Sequence, residues 1–250
     1  MLNELEAALS SENSYHDSEA IPDTEHKQVD PSMEPAYKIL IADDHPLFRS
    51  ALKDVIRQEE PDATLEEASD FGDLQSVMTR LAEPAVVLLD LHMPGAHGFS
   101  ALLFLTAHYP DTPVLMISAN EREDIIRRAA DHGAVGFISK SASMEAIGDA
   151  IRAVARGDFC FPDSVDLAVP GVSQEESGVA EALAELTPQQ FRVATMISQG
   201  LLNKQIAYEL SVTEATVKAH VTEIFRKLGV HSRTQAALKL GQLDLADNSQ

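Results

Sequence analysis

Asp43, Asp44, Asp90, Ser118 and Lys140 are the residues whose types could do chemistry together, provided the chain brings them to one place. Three carboxylates held close repel one another unless a cation lies between them. Mg²⁺ suits that role, because it takes a few carboxylate oxygens, keeps some of its waters and leaves room for phosphate oxygens. A carboxylate that attacks phosphorus forms an acyl phosphate. A divalent ion and a lysine ammonium would neutralise the charge that such a transfer gathers on the equatorial oxygens.

The elements that must position these residues are legible in the texture of the chain. Short β-branched or Leu-rich runs occur at 38–42, 64–68, 86–89, 114–117 and 136–138, with helix-period stretches at about 46–59, 72–82, 98–108, 121–132 and 143–156. Five strands, each followed by a helix, predict a doubly wound α/β sheet whose continuous apolar strands are covered on both faces. Asp43 and Asp44 follow the first run, Asp90 ends the third, Ser118 ends the fourth and Lys140 lies just past the fifth. In a parallel sheet those ends converge on one edge, where α/β proteins bind their ligands. An Asp at one strand end is often only a turn former. Independent turn preferences do not explain the whole set falling at carboxyl ends.

The strings Ile39-Leu-Ile-Ala-Asp-Asp-His-Pro-Leu-Phe48, Leu88-Leu-Asp-Leu-His-Met-Pro-Gly95 and Gly136-Phe-Ile-Ser-Lys140 resemble the receiver domains of two-component response regulators over about residues 37–157. That resemblance implies a flavodoxin-like (βα)5 fold with Asp90 as phosphoacceptor. It implies Mg²⁺ held by Asp43, Asp44, Asp90 and the backbone carbonyl of His92. Ser118 and Lys140 would contact the phosphoryl group, Phe137 would be the aromatic switch residue, and a sensor histidine kinase or phosphotransfer protein would be the donor. His92 and Asn120 stand two residues beyond Asp90 and Ser118, positions that in the family influence how water reaches the acyl phosphate. The expected protein is a switch with slow autodephosphorylation at most, rather than a turnover enzyme.

The net charge of −21 argues at first against a polyanionic partner. Its distribution reverses that reading. Residues 186–241 hold seven basic residues against three acidic ones, net +4, which leaves the remainder at −25, and a nearby polyanion responds to the local patch within a Debye length of ~8 Å. Thr187-Pro-Gln-Gln190 has the order of a capping box with Pro at the first helical position. Ile206 and Leu210, then Val217, Val221, Ile224 and Leu228, form apolar stripes at helical spacing. The short turn Ser211-Val-Thr213 lies between them, with Thr213 able to cap the second helix. Lys218, Ala219 and Thr222 occupy the opposite face, early enough to enter a major groove.

Asn203-Lys-Gln-Ile-Ala207 and Thr216-Val-Lys-Ala-His-Val221 are similar to the LuxR-type helix-turn-helix of the NarL/FixJ response regulators, an all-α unit of four helices. The resemblance turns Lys218, Ala219 and Thr222 toward bases. It gives Asn203, Lys204, Thr216 and His220 to the DNA backbone or to support of the helix, and Ala236 and Ala237 to a homodimer contact on a roughly palindromic operator. In the family, phosphorylation releases the reader from the receiver and promotes pairing. Gln189, Gln190 and Leu202 depart from the family's usual Arg, Glu and capping Ser, changes worth about 1 kcal/mol each at most.

The resulting organisation is a disordered acidic tail over 1–36, a receiver over 37–157, a linker over 158–183 and a reader over 184–245. The tail holds nine carboxylates and one Lys and is too polar to bury a core. Leu2, Leu5 and Leu9 could line a short helix there. No apolar run approaches the roughly 20 residues of a membrane span, no secretion signal is visible, and Cys160 has no intrachain partner, so a cytoplasmic protein with an incidental linker thiol is expected. Two other readings compete. A phosphorylation-independent regulator would keep the reader and use the pocket as a scaffold. An aspartyl-phosphate hydrolase of haloacid-dehalogenase type would need a second Asp two residues after the nucleophile, where this chain has His92.

Overall fold

The computed structural model describes residues 37–81, 84 and 86–244, so the acidic tail expected over 1–36 lies outside the described residues. The first unit runs β1 (Lys38–Ala42), α1 (Pro46–Glu59), β2 (Thr64–Ala68), α2 (Phe71–Leu81), β3 (Val86–Asp90), α3 (Ser100–His108), β4 (Val114–Ser118), α4 (Glu123–Asp131), β5 (Gly136–Ser139) and α5 (Met144–Ala155). Its five parallel strands lie in the order β2-β1-β3-β4-β5. This is the doubly wound receiver-type sheet, and each helix falls within two residues of the range expected from periodicity.

Strand alternation divides the core into two layers. Ile39, Ile41, Leu88 and Ile117 pack on one side with Leu52, Ile56, Ile147 and Ile151 of α1 and α5. Leu40, Ala42, Leu89 and Met116 face the other side with α2, α3 and α4. This second layer does not stop at the helices. Six consecutive residues of α3, Ser100–Leu105, are buried, as happens when a helix is covered both by its own sheet and by a second body.

The second body is helical: α6 (Gln174–Ala184), α7 (Pro188–Ser198), α8 (Asn203–Glu209), α9 (Glu214–Leu228), α10 (Arg233–Leu240) and a closing 3₁₀ turn, Gly241–Leu243. Helix α6 corrects the expected linker, because it begins well inside 158–183 and leaves only the chain up to Ser173 as connection. Ser173 caps it by accepting from the Glu176 amide at 3.1 Å, and Glu176, Val179 and Leu183 turn inward. Burial of Val179 and Leu183 offsets a helix too short to stand alone. The four helices expected from Leu186 onward are α7–α10. Thr187 and Gln190 form the anticipated capping box, Thr213 caps α9, and Gly229 ends α9 in the left-handed conformation (φ 65°).

The connecting segment is itself bound to the sheet. Cys160 pairs with Gly136 as an added parallel bridge on β5: its amide donates to Val135 O and its carbonyl accepts from the Phe137 amide. Farther on, the Gly171 and Val172 amides donate to Asp131 Oδ2 at the end of α4.

Candidate functional site

The sheet edge brings the expected pocket residues together. Asp43 and Asp90 are almost completely buried, and Ser118 is fully so. Lys140 Nζ donates to Asp90 Oδ2 at 2.7 Å and stands 2.7 Å from Asp43 Oδ2. The Lys140 amide also donates to Ser118 O, which ties the end of β5 to the end of β4, while Ser118 Oγ accepts from the Asn120 amide at 3.1 Å. The His92 amide donates to Asp90 Oδ1 at 3.2 Å. Phe137 is buried, and its amide donates to Cys160 O.

Burial pushes the Asp90 carboxyl up from the ordinary carboxylate range, and the charge of Asp43 adds to that. The Lys140 hydrogen bond and charge, with the His92 amide, oppose it. For Lys140, burial works to lower the pKa, yet the hydrogen bonds and charges of Asp43 and Asp90 outweigh it and hold the ammonium above its usual value. The pocket thus carries more negative charge than its one lysine compensates.

Three carboxylates, those of Asp43, Asp44 and Asp90, converge here, and the Lys140 ammonium lies 2.7 Å from both Asp43 Oδ2 and Asp90 Oδ2. Carboxylates crowded together out of water are costly, and a divalent ion bound to oxygen ligands removes that cost. The donor set therefore fits the Mg²⁺ expected here. Sequence reading gave no role to His45, although it stands inside the quoted motif. Its Nδ1 lies 2.7 Å from Asp44 Oδ1, 3.2 Å from Asp43 Oδ1 and 3.8 Å from Asp90 Oδ2.

At the other end of the chain, Lys204, Thr216, Lys218, Ala219 and Thr222 are exposed, and Asn203 and His220 are half-buried. The outward face of α9 that carries Lys218, Ala219 and Thr222 is opposite the buried Val217, Ile224 and Leu228. Leu202 gives α8 no side-chain cap, but its amide donates to Gln205 Oε1 at 2.7 Å, which supplies half of the missing box. Gln190, a further departure, accepts from Lys227 Nζ at 2.8 Å and so pins α7 to α9. One of the two expected dimer contacts needs correction. Ala236 is completely buried beneath α10, whereas Ala237 is half-buried and Leu238 is 71% exposed. Of the two positions the resemblance named, Ala237 stays on the partly open side of α10 and Ala236 does not.

Between the two units lies a buried ionic cluster that the sequence reading missed. Arg128 of α4, only 9% exposed, donates through Nε and Nη2 to Glu176 Oε1 of α6 at 3.0 and 2.8 Å. Its guanidinium also reaches the carbonyls of Gln242, Leu243 and Asp244 at 3.3–3.4 Å and lies 4.7 Å from the centre of the Phe99 ring. His132 Nε2 is 2.7 Å from the same Glu176 oxygen. Burial works to raise the Glu176 pKa, but the hydrogen bonds from His132 and Arg128 and their charges prevail and hold it below the usual range. Next to this cluster, Phe71, Phe104 and His108 pack around Phe191 of α7. His108 Nε2 lies 2.8 Å from Leu186 O, and Gln199 Nε2 donates to Gly95 O.

The loop from Asp90 to α3 thus has the pocket at one end and the second unit at the other. The Phe99 amide donates to Leu243 O at 3.3 Å. Gly98, at φ 47°, lies so close to that carbonyl that a Cβ would collide with it.

Residues 39–152 match the family described as "Response regulator receiver domain", and residues 184–240 match "Bacterial regulatory proteins, luxR family". The chain is similar to the glycerol metabolism activator of Pseudomonas putida, 40% identical over 213 residues that cover 83% of this chain and 96% of that protein. It is also similar to the nitrate/nitrite response regulator protein NarL of Escherichia coli K12, 30% identical over 212 residues that cover 84% and 97%. Among solved structures, the Salmonella typhimurium RcsB response regulator aligns at 22% identity with a TM-score of 0.48, covering 82% of this chain and 97% of that one. No helix among the described residues is long and apolar enough to cross a membrane.

Proposed function

The chain belongs to the response regulators that join a receiver domain to a LuxR-type DNA-binding domain, and from that premise we propose that phosphorylation of Asp90 by a sensor histidine kinase or phosphotransfer protein controls its pairing on DNA. One observation carries the first half: a buried Asp90 bonded to Lys140 in a pocket that also gathers the carboxylates of Asp43 and Asp44. Asp90 attacks the phosphorus of a phosphohistidine; the P–N bond breaks as the O–P bond forms. Lys140 and Ser118 hold the phosphoryl oxygens, and Lys140 surrenders part of its bond to Asp90 in doing so. Asp43, Asp44, Asp90 and the His92 carbonyl would hold Mg²⁺, which would supply charge neutralisation. His92 and Asn120, at the mouth of the pocket, tune how fast water removes the group. The protein is a switch and turns over slowly at most.

For the second half, Lys218, Ala219 and Thr222 face bases in the major groove while Asn203, Lys204, Thr216 and His220 hold the backbone, on half-sites one helical turn apart. The reading face is exposed in the docked arrangement, whereas the 3₁₀ turn that follows α10 is held by Arg128 and Phe99. Docking therefore restrains the turn that follows the pairing helix and leaves the reading face uncovered. We place the homodimer contact on the outward face of α10 at Ala237 and Leu238. Phosphorylation acts through the loop from His92 to Phe99, which leads directly from Asp90 to Leu243.

The test is incubation of the protein with Mg²⁺ and a small acyl-phosphate donor, comparing it with Asp90→Asn. Phosphate uptake and dimer formation are expected in the parent and lost in the variant. Equal labelling of Asp90→Asn overturns the assignment.

A further inference from the structure

A cleft of about 300 Å³ lies between the receiver and the reader, and no residue of the phosphoacceptor pocket lines it. One wall is the start of α2 with the loop after β3, through Gly72, Gln75 and Gly95. The other is α7, through Arg192, Thr195 and Met196. Those three stand at i, i+3 and i+4, so a single face of α7 borders the space. Gln75 is the residue that points to an occupant. It is 8% exposed, beside the core residues Leu74 and Met78, yet neither its side-chain oxygen nor its nitrogen has a hydrogen-bond partner among the described residues. A buried amide left unpaired is costly, and a leucine of similar size would avoid that cost. A molecule in the cleft that offers both a donor and an acceptor removes it.

Opposite charges border the same space. Asp70 Oδ1 is fixed by accepting from the Asp73 amide at 2.8 Å. A Cβ built on Gly72 would stand 3.2 Å from that oxygen and 3.6 Å from Arg192 Nη2. The two ions therefore face each other over Gly72 without pairing, and Arg192 makes no hydrogen bond or ion pair among the described residues. The guanidinium fork matches a carboxylate, while Asp70 and the exposed Glu209 accept from an ammonium. A simple anion is repelled by the two carboxylates and a simple cation by Arg192, whereas a zwitterion satisfies both sides.

We infer that this cleft binds a free α-amino acid with a carboxamide side chain: its carboxylate on Arg192, its ammonium on Asp70 and its side-chain amide paired with Gln75. The size agrees. At ~30 Å³ per water the cleft holds roughly ten water-sized groups, the number of non-hydrogen atoms in glutamine. Because the walls come from both units, the amino acid binds only the docked arrangement and stabilises it. At a hundred times its Kd it favours docking by about a hundredfold. This restraint acts on docking itself and does not depend on phosphoryl transfer.

The experiment is isothermal titration calorimetry of L-glutamine into the full chain, where saturable one-to-one binding is expected. Arg192→Ala and Gln75→Leu should each weaken it by at least about tenfold, the scale of a lost charge-assisted or buried hydrogen bond. Gln75→Leu also removes an unpaired amide, so its melting temperature should equal or exceed the parent's, which separates lost binding from lost folding. Gly72→Leu fills the space between Asp70 and Arg192 at a helical position that favours leucine over glycine, and should abolish binding with the circular dichroism spectrum unchanged. N-acetyl-L-glutamine lacks the ammonium, L-glutamine amide lacks the carboxylate and L-leucine lacks the carboxamide; each should bind at least about tenfold more weakly than L-glutamine. No saturation by millimolar L-glutamine, an affinity unchanged in all three variants, or equal binding of L-leucine overturns the inference.

Discussion

Replacing Glu176 with alanine should undock the two units without unfolding either. Glu176 is the common acceptor for Arg128 and His132 in a cluster that is closed to water. Without it, Arg128 remains buried beside Phe99 with only main-chain carbonyls at 3.3–3.4 Å. Removing one partner of a buried pair costs about 3–5 kcal/mol, because the other charge is stranded away from water. Here the stranded charge has an escape: separation of the units returns Arg128 to solvent. The penalty therefore falls on the docking equilibrium, and at about 1.4 kcal/mol per decade it weakens docking by roughly 10²- to 10⁴-fold. Hydrogen exchange reads this directly. The amides of Phe99, Leu186 and the α6 turn should lose protection, while those of β3 and β4 keep theirs. Glu176→Gln, which retains an acceptor oxygen, should lie between the parent and alanine. Protection at Phe99 unchanged within a factor of about three, less than 1 kcal/mol, would refute the idea that this cluster holds the units together.

Three further outcomes follow from the same geometry. Gly98→Ala places a Cβ against Leu243 O at a left-handed residue, so scattering should report a larger radius of gyration and proteolysis should cut the 161–173 segment faster; an unchanged profile contradicts the contact. The Glu176 carboxyl is held below its ordinary pKa of 4.5, so its contribution is complete above about pH 4.5 and disappears as pH falls through the lower docked value; Glu176→Gln should remove this acid-induced opening, measured by exchange or scattering. Lys218→Ala should weaken binding to an operator and, if the ammonium meets phosphate, lower the salt slope by about 1; a changed base preference with an unchanged slope would place it on a guanine edge instead.

The pocket was legible because its residues stand at the ends of regular strands, where period and topology fix position. Lys140, 50 residues beyond Asp90, is found 2.7 Å from it for that reason. The reading helix was legible too, since Val217, Ile224 and Leu228 mark its buried stripe. The interface between units was not, because it joins surfaces with no shared period. A signal was nonetheless present in α3, where Ala101-Leu-Leu-Phe-Leu105 has no polar face and so demands cover on both sides. Arg128 and His132 share the buried side of α4 with Ile125 and Ala129, but a basic residue on an apolar stripe reads as surface unless its acidic partner is known. That partner, Glu176, lay in a stretch whose charges and Pro170-Gly171 obscured the 176, 179, 183 spacing. Ala236 misled for the opposite reason: a small residue on a short helix fits an exposed contact and a tight core equally well.

The tether from Cys160 to Ser173 sets a threshold as well as a path. Its first residue is sewn to β5 and its Gly171 and Val172 amides to α4, so the reader never strays far from its docking face. A short connection of this kind presents a bound partner at an effective concentration on the order of millimolar. Pairing with a second copy of the chain needs the reader free to reorient, and docking opposes that reorientation at this local excess. Pairing is then governed by how much the docking constant falls on phosphorylation, and lengthening the 161–173 segment alone should make the switch fire at lower protein concentration.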